Sequence, residues 1–157
     1  MRRLAALLLA VMLVCFTGCN KFNKIKVNEV QIEKITPHGL RSIDIDLDVE
    51  VDNPAPWLKI SDVEVVVRYC GKVLGKVTVD PFVLKARTVE SYDIKARMAL
   101  DQSVSLYEAL MFLSKDFAQN CILDMTAKGS LRGGLSKTIT EKDVPLKKLM
   151  NYADKKK

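Results

Sequence analysis

The chain has 157 residues, 28% of them charged and 48% apolar, with a formal net charge of +6; that is enough apolar material for one buried core and too little length for several ordinary domains. Seven Gly and five Pro exclude a collagen-like or low-complexity chain, and the balance of charge and hydrophobicity excludes wholesale disorder. One His and four dispersed Cys offer no metal-ligand spacing, no Gly-rich phosphate loop is present, and no cofactor is implied.

Arg2 and Arg3 lead into an uninterrupted apolar run from Leu4 to Phe16, then the small residues Thr17, Gly18 and Cys19 and a polar stretch from Asn20 to Lys24. This is the layout of a signal peptide. At ~1.5 Å per residue the run makes roughly 20 Å of helix, short of the ~20 residues that span a bilayer comfortably, so a permanent transmembrane anchor is disfavoured. Phe16-Thr17-Gly18-Cys19 resembles a bacterial lipobox with Phe in place of the usual Leu. The resemblance implies removal of residues 1–18 and acylation of Cys19; an ordinary secretory signal cut nearby is the alternative, and either route leaves the cytosol. A multiply acylated cysteine attaches stably where a single chain is marginal. Residues 19–24 then form a tether of roughly 20 Å at most, at ~3.5 Å per residue. Asn20 after the cysteine, by resemblance to lipoprotein sorting in enteric bacteria, favours the outer membrane of a bacterial envelope, facing the periplasm.

The body runs from 25 to 145. Ile25, Val27, Val30 and Ile32 open it with imperfect alternation, followed by a turn at Pro37-His38-Gly39. Ile43, Ile45, Leu47, Val49 and Val51 then alternate without error against Asp44, Asp46, Asp48, Glu50 and Asp52, a strand with one buried and one wet face. It ends at Asn53-Pro54-Ala55-Pro56, where two prolines remove ladder donors. Further strands are expected over Ser61–Cys70, Val73–Val79 after a Gly71-Lys72 turn, Phe82–Lys85 and Tyr92–Leu100. A final hairpin of Ile122–Arg132 and Leu135–Val144 closes through a two-residue Gly133-Gly134 loop.

Between Asp101 and Asn120 the apolar residues Leu106, Leu110, Leu113 and Phe117 recur with helical spacing, and Ser105 with Glu108 reads as a capping box. One amphipathic helix laid over an end or edge of the β structure is expected, with core packing as its role. Residues 146–157 form a cationic tail, solvated or touching anionic headgroups. Short strands at this spacing suggest an antiparallel β-sandwich or barrel.

The block from Ile43 to Leu100 resembles the late embryogenesis abundant (LEA) type 2 family, also called the WHy (water stress and hypersensitive response) domain. The likeness rests on the Ile43–Asp52 strand, Asn53-Pro54 after it, Leu58 and Ile60 opening the next strand, Gly71 and Gly75 in the following hairpin, and the Tyr92–Leu100 strand. Pro56-Trp57 departs from the small polar residues usual there. With its flanks the likeness covers roughly Val27 to Val144. It implies an antiparallel β-sandwich of fibronectin type III or immunoglobulin-like shape with one helix, an association with desiccation and other stress, chaperone-like protection of other proteins, and no catalytic residues.

The acidic face of Asp44, Asp46, Asp48 and Glu50 has three readings: a cross-strand ladder against Lys95 and Arg97, a partner-binding surface, or a calcium site. The ladder is favoured, because same-face carboxylates about 6.6–7 Å apart along a strand make a row and not a cage. Cys70 and Cys121 would make a disulfide in an oxidising compartment, but alternation sets them on opposite faces and favours two separate thiols. Trp57, in its proline-bounded loop, caps the end of the β structure or anchors a partner. His38 has no Ser, Cys or carboxylate pattern around it and reads as a surface residue.

Nucleic acid is excluded as a partner by the mild, scattered positive charge. The sequence supplies no nucleophile, paired acids or metal for an enzyme. The expected function is therefore a monomeric, membrane-anchored, stress-protective domain, with an adaptor docking one envelope protein as the alternative.

Overall fold

The computed structural model describes residues 24–105, 107–108 and 117–147. The strands are β1 (Lys26–His38), β2 (Ser42–Asn53), β3 (Leu58–Tyr69), β4 (Lys72–Val79), β5 (Phe82–Leu84), β6 (Thr88–Leu100), β7 (Cys121–Leu131) and β8 (Ser136–Pro145), with a helical turn, α1 (Phe117–Asn120), before β7. All pairings are antiparallel, in the order β1-β2-β6-β4-β3-β7-β8, with β5 beside the start of β3.

The mainly antiparallel β class expected from the sequence is found. The strands form one continuous sheet curled into a half-barrel, where a sandwich would have two stacked sheets. The joining element is β6, which is longer than its alternation suggests. Thr88–Ala99 pairs with β2, and Ala96–Leu100 also pairs with Val79–Gly75 of β4. One strand thus links a β1-β2-β6 half to a β4-β3-β7-β8 half. At this junction a Cβ on Gly75 would collide with the carbonyl oxygen of Ala99, so only glycine permits the approach.

Curling brings the inward rows together in one core. Leu47, Val49 and Val51 of β2 and Ile94 of β6 are buried with Ile60, Val63 and Val65 of β3 and Leu123 and Met125 of β7. Each such side chain contributes about 1.5–3 kcal/mol on burial. Ile25 and Leu146, beyond the two terminal strands, are buried in the same cluster.

The imperfect alternation of β1 has a structural cause. Two β-bulges, between Val27 and Glu29 and between Ile32 and Lys34, reset its phase so that Val27 pairs with Val51, Val30 with Val49, Ile32 with Leu47 and Ile35 with Ile45. The uneven apolar spacing is therefore the spacing a twice-bulged strand needs.

Two turns differ from the sequence reading. The β3–β4 turn is Cys70-Gly71, not Gly71-Lys72, because Tyr69 pairs with Lys72 and both turn residues take positive φ, 49° and 81°. The last hairpin closes through Arg132, Gly133 and Gly134, since the Leu131 N–H donates to the Leu135 carbonyl at 2.8 Å and both glycines have positive φ.

Most of the expected helix, including Leu106, Leu110 and Leu113, lies outside the described residues. The reciprocal bonds expected of Ser105 and Glu108 are formed: the Ser105 N–H donates to Glu108 Oε2 at 2.7 Å and the Glu108 N–H to Ser105 Oγ at 3.2 Å. Lys72 Nζ, donating to Glu108 at 2.8 Å and to the Ser103 carbonyl at 3.0 Å, pins this segment to the β3–β4 hairpin.

Candidate interaction surfaces

The β2–β6 register places Asp44 opposite Arg97, Asp46 opposite Lys95, Asp48 opposite Asp93 and Glu50 opposite Ser91. The expected ladder therefore forms at one end only. Arg97 grips Asp44 with two hydrogen bonds, at 2.5 and 3.0 Å, and the pair holds the Asp44 carboxyl below its ordinary range and raises the Arg97 guanidinium above its own. Further along, the face carries like charges. Glu29 of β1 stands opposite Glu50, and carboxylate oxygens of Glu33, Asp48 and Asp93 lie within 4.8 Å of one another. Glu50 and Glu29 are met by the amides of Asn28 and Gln31, each at 2.8 Å. The shallow depression they frame, with Asp48 and Ser91, measures about 40 Å³.

Alternation along β2 alone predicts a row of acids, and that row is present. The convergence arises across strands, from Asp93 and Glu33, which the sequence reading did not count. Asp93 shares the phase of Lys95 and Arg97, so the signal was available. Glu33 was hidden by the bulge beside it. The three carboxylates converge on an open sheet face.

Trp57 lies half-buried at one end of the sheet, its ring 5.7 Å beneath the Arg132 guanidinium, so the loop caps the β7–β8 turn. Its neighbour Asn53 is the organising residue there and is fully buried. The Asn53 amide donates to the Lys85 carbonyl at 2.8 Å and the Pro56 carbonyl at 3.4 Å, while its oxygen accepts from the Ala55 N–H at 3.0 Å. The Arg87 N–H returns a bond to the Ala55 carbonyl at 3.2 Å, and Tyr92 Oη accepts from the Lys85 N–H at 3.0 Å. The sequence reading treats Asn53-Pro54 as the end of a strand. The structure adds a polar hub tying the β2–β3 loop to the β5–β6 turn.

Cys70 and Cys121 are not bonded. Cys121 pairs with Tyr69, so Cys70 stands one position out of step, exposed at the turn, while burial pushes the Cys121 thiol up to about 12. His38 is exposed, its ring 3.7 Å from Asp44. Cys19 lies outside the described residues. No helix among the described residues is long and apolar enough to cross a membrane.

No family model matches the sequence, and no curated protein does. Among solved structures the chain is similar to a protein from Archaeoglobus fulgidus at 9% identity and a TM-score of 0.43, with 74% of this chain and 93% of that one covered. It is also similar to the archaellum periplasmic stator protein FlaG from Sulfolobus acidocaldarius, at 13% identity and a TM-score of 0.28 over 74% of this chain and 100% of the other. A third is the yeast GGA1 GAE domain, at 8% identity and a TM-score of 0.29 over 76% and 97%. Likenesses this weak carry no argument about function.

Proposed function

We propose that the chain is a membrane-anchored, non-enzymatic lipoprotein of LEA type 2 kind that protects proteins or membrane of a bacterial envelope during water loss or related stress. The observation that carries this reading is Phe16-Thr17-Gly18-Cys19 standing directly ahead of a β domain. The Asn53-Pro54 corner and Gly75 support it further, because both residues of the family resemblance have a physical job: the first ties two loops, the second admits β6. The finer fold it implies is fibronectin type III-like, with the two halves of the curled sheet as its layers.

Two measurements test the proposal. Cys19→Ser releases the protein from the membrane fraction; a variant that stays acylated and bound overturns the anchor. The released domain, dried at near-equimolar ratio with a labile enzyme, preserves more activity than an equal mass of an unrelated β protein. Equal preservation by the control removes the protective function.

A second reading, an adaptor for a basic envelope partner, is favoured by the uncompensated acids around Asp48 and Asp93. Like charges opposed across a ladder cost stability, and a basic partner would relieve them. Cross-linking from this face in cells, with Asp48→Lys as the control that abolishes capture, distinguishes the two.

A further inference from the structure

We infer that the end of the sheet carrying Trp57 is a membrane-contacting face, seated on anionic lipid headgroups; this rests on the anchored reading above. The first ground is where the chain enters. Lys26 pairs with Asp52, next to Asn53, so the N-terminal segment emerges beside the Asn53–Trp57 loop. Lys24 is five residue steps from Cys19, at most ~18 Å when extended. The sheet is longer than that: β3 alone has 12 residues, roughly 40 Å at ~3.3 Å each. An anchor at Cys19 therefore draws this end, and not the far one, to the bilayer.

The second ground is composition. The loops here are in mutual contact, through Asn53 to Lys85, Arg87 to Ala55, and Arg132 over Trp57. Their tips, with Lys24, carry the cations Lys24, Arg87 and Arg132, and Lys85, which is paired with Glu90 at 2.8 Å. Among the described residues neither Lys24 nor Arg87 forms an ion pair. Leu135, 73% exposed at the tip of the last hairpin, and half-buried Trp57 supply apolar and amphipathic surface. A tryptophan ring at headgroup depth with cations beside it is a combination suited to an anionic interface.

Of the acidic face, Glu50 is met by the Asn28 amide, and the Glu33–Asp48–Asp93 cluster stands farther back. Asp48 lies five residues up β2 from Asn53, roughly 16 Å at ~3.3 Å per residue and beyond a Debye length of ~8–10 Å. The tail leaves from the other end, since Pro145 pairs with Ile122 next to Cys121, so its lysines are not needed for the contact.

Trp57 is the single tryptophan of the chain and reports on the face directly. The membrane-bound protein, purified in detergent as cells make it, is reconstituted on phosphatidylethanolamine–phosphatidylglycerol vesicles carrying headgroup-proximal brominated lipid, with phosphatidylcholine vesicles in parallel. Flotation reads the anchor and Trp57 quenching reads the face. The expected result is flotation on both, with several-fold stronger quenching on the anionic vesicles, reduced by Arg87→Glu and by Leu135→Ser in protein whose circular dichroism is unchanged. Flotation without quenching overturns the face and leaves the anchor standing. Failure to float overturns both. Quenching or a spectral shift that appears only as protein density on the vesicle rises assigns the face to a second copy of the chain and overturns it likewise.

Discussion

At one end of the sheet a buried neutral amide, Asn53, holds the loops together; at the other an exposed cation, Arg41, does so. Arg41 Nη1 donates to the carbonyls of Asp101, Gln102 and Val104 at 3.0, 3.1 and 3.4 Å, and the Leu100 N–H donates to the Arg41 carbonyl at 2.8 Å. Lys72 reinforces the same segment. Arg41 and Lys72 are thus spent inside the molecule. Where an uncharged side chain does the tying, Lys24 and Arg87 are left facing outward. The same need, satisfying loop carbonyls, is met with different chemistry at the two ends.

The comparison is broken most severely at Asn53. Asn53→Ala orphans the buried Ala55 N–H and leaves the Lys85 carbonyl only its bond from the Thr88 hydroxyl, and with about 1–3 kcal/mol for the orphaned group the expected loss is about 1–3 kcal/mol. Urea denaturation measures it. A loss below about 0.5 kcal/mol, the range of ordinary surface substitutions, would mean the hub is dispensable. Arg41→Ala removes bonds that solvent can replace, so about 1 kcal/mol or less is expected. Faster amide exchange at Val104, whose N–H donates to the Asp101 carbonyl, is the sharper readout.

The two halves of the sheet contrast in the same way on their outer faces. On the β3-β7-β8 side Arg68 bridges Asp124 at 2.9 Å and Asp143 at 2.5 Å, and Lys76 meets Glu64 at 2.9 Å. On the β1-β2-β6 side Asp48 faces Asp93. Asp93→Lys therefore stabilises the protein by about 0.2–1 kcal/mol at low salt, an effect that fades as ionic strength rises. Unchanged stability in low-salt thermal unfolding would show that the repulsion around Asp48 is already relieved by solvent.

Local pattern carried much of this architecture. The strict alternation of Ile43–Asp52 announced β2 and its buried face, and the outward phase of Lys95 and Arg97 announced a cross-strand ladder, of which the Arg97–Asp44 pair forms. What stayed hidden depends on partners distant in sequence. No local signal marks β6 as the strand shared by both halves, because that follows from Gly75 meeting Ala99. The bulges of β1 are defined only by the register of β2. Asn53 was visible as a motif, but its role required the Lys85 carbonyl, brought in from 32 positions along the chain. The candidate surfaces followed the same rule: Asp44, Asp46, Asp48 and Glu50 were legible as a row, whereas Glu33 joins them only across the bulged edge strand.

The smallest effect expected is a pH dependence confined to the Arg41 end. Glu108 accepts from Lys72 Nζ and from the Ser105 N–H, and these bonds, Lys72 first, hold its carboxyl down from the usual 4.5 to about 2. Asp101 moves in the same direction, held down chiefly by Ser103. A depressed carboxylate stabilises the folded segment fully above its unfolded pKa and loses that contribution as pH falls through its folded value. The attachment of Asp101–Glu108 to the β3–β4 hairpin should therefore persist at pH 5 and weaken between 4.5 and about 2, while the Asn53 end, tied by an amide that does not titrate, holds. NMR titration of the Ser105 amide and the Glu108 carboxyl reads this directly. Glu108→Gln keeps an acceptor for Ser105 and loses the charge facing Lys72, so it should flatten the Ser105 titration curve. A Glu108 midpoint near 4.5 in the wild-type chain would show that Lys72 does not hold it, and the contrast between an end tied through a carboxylate and one tied through an amide would fail with it.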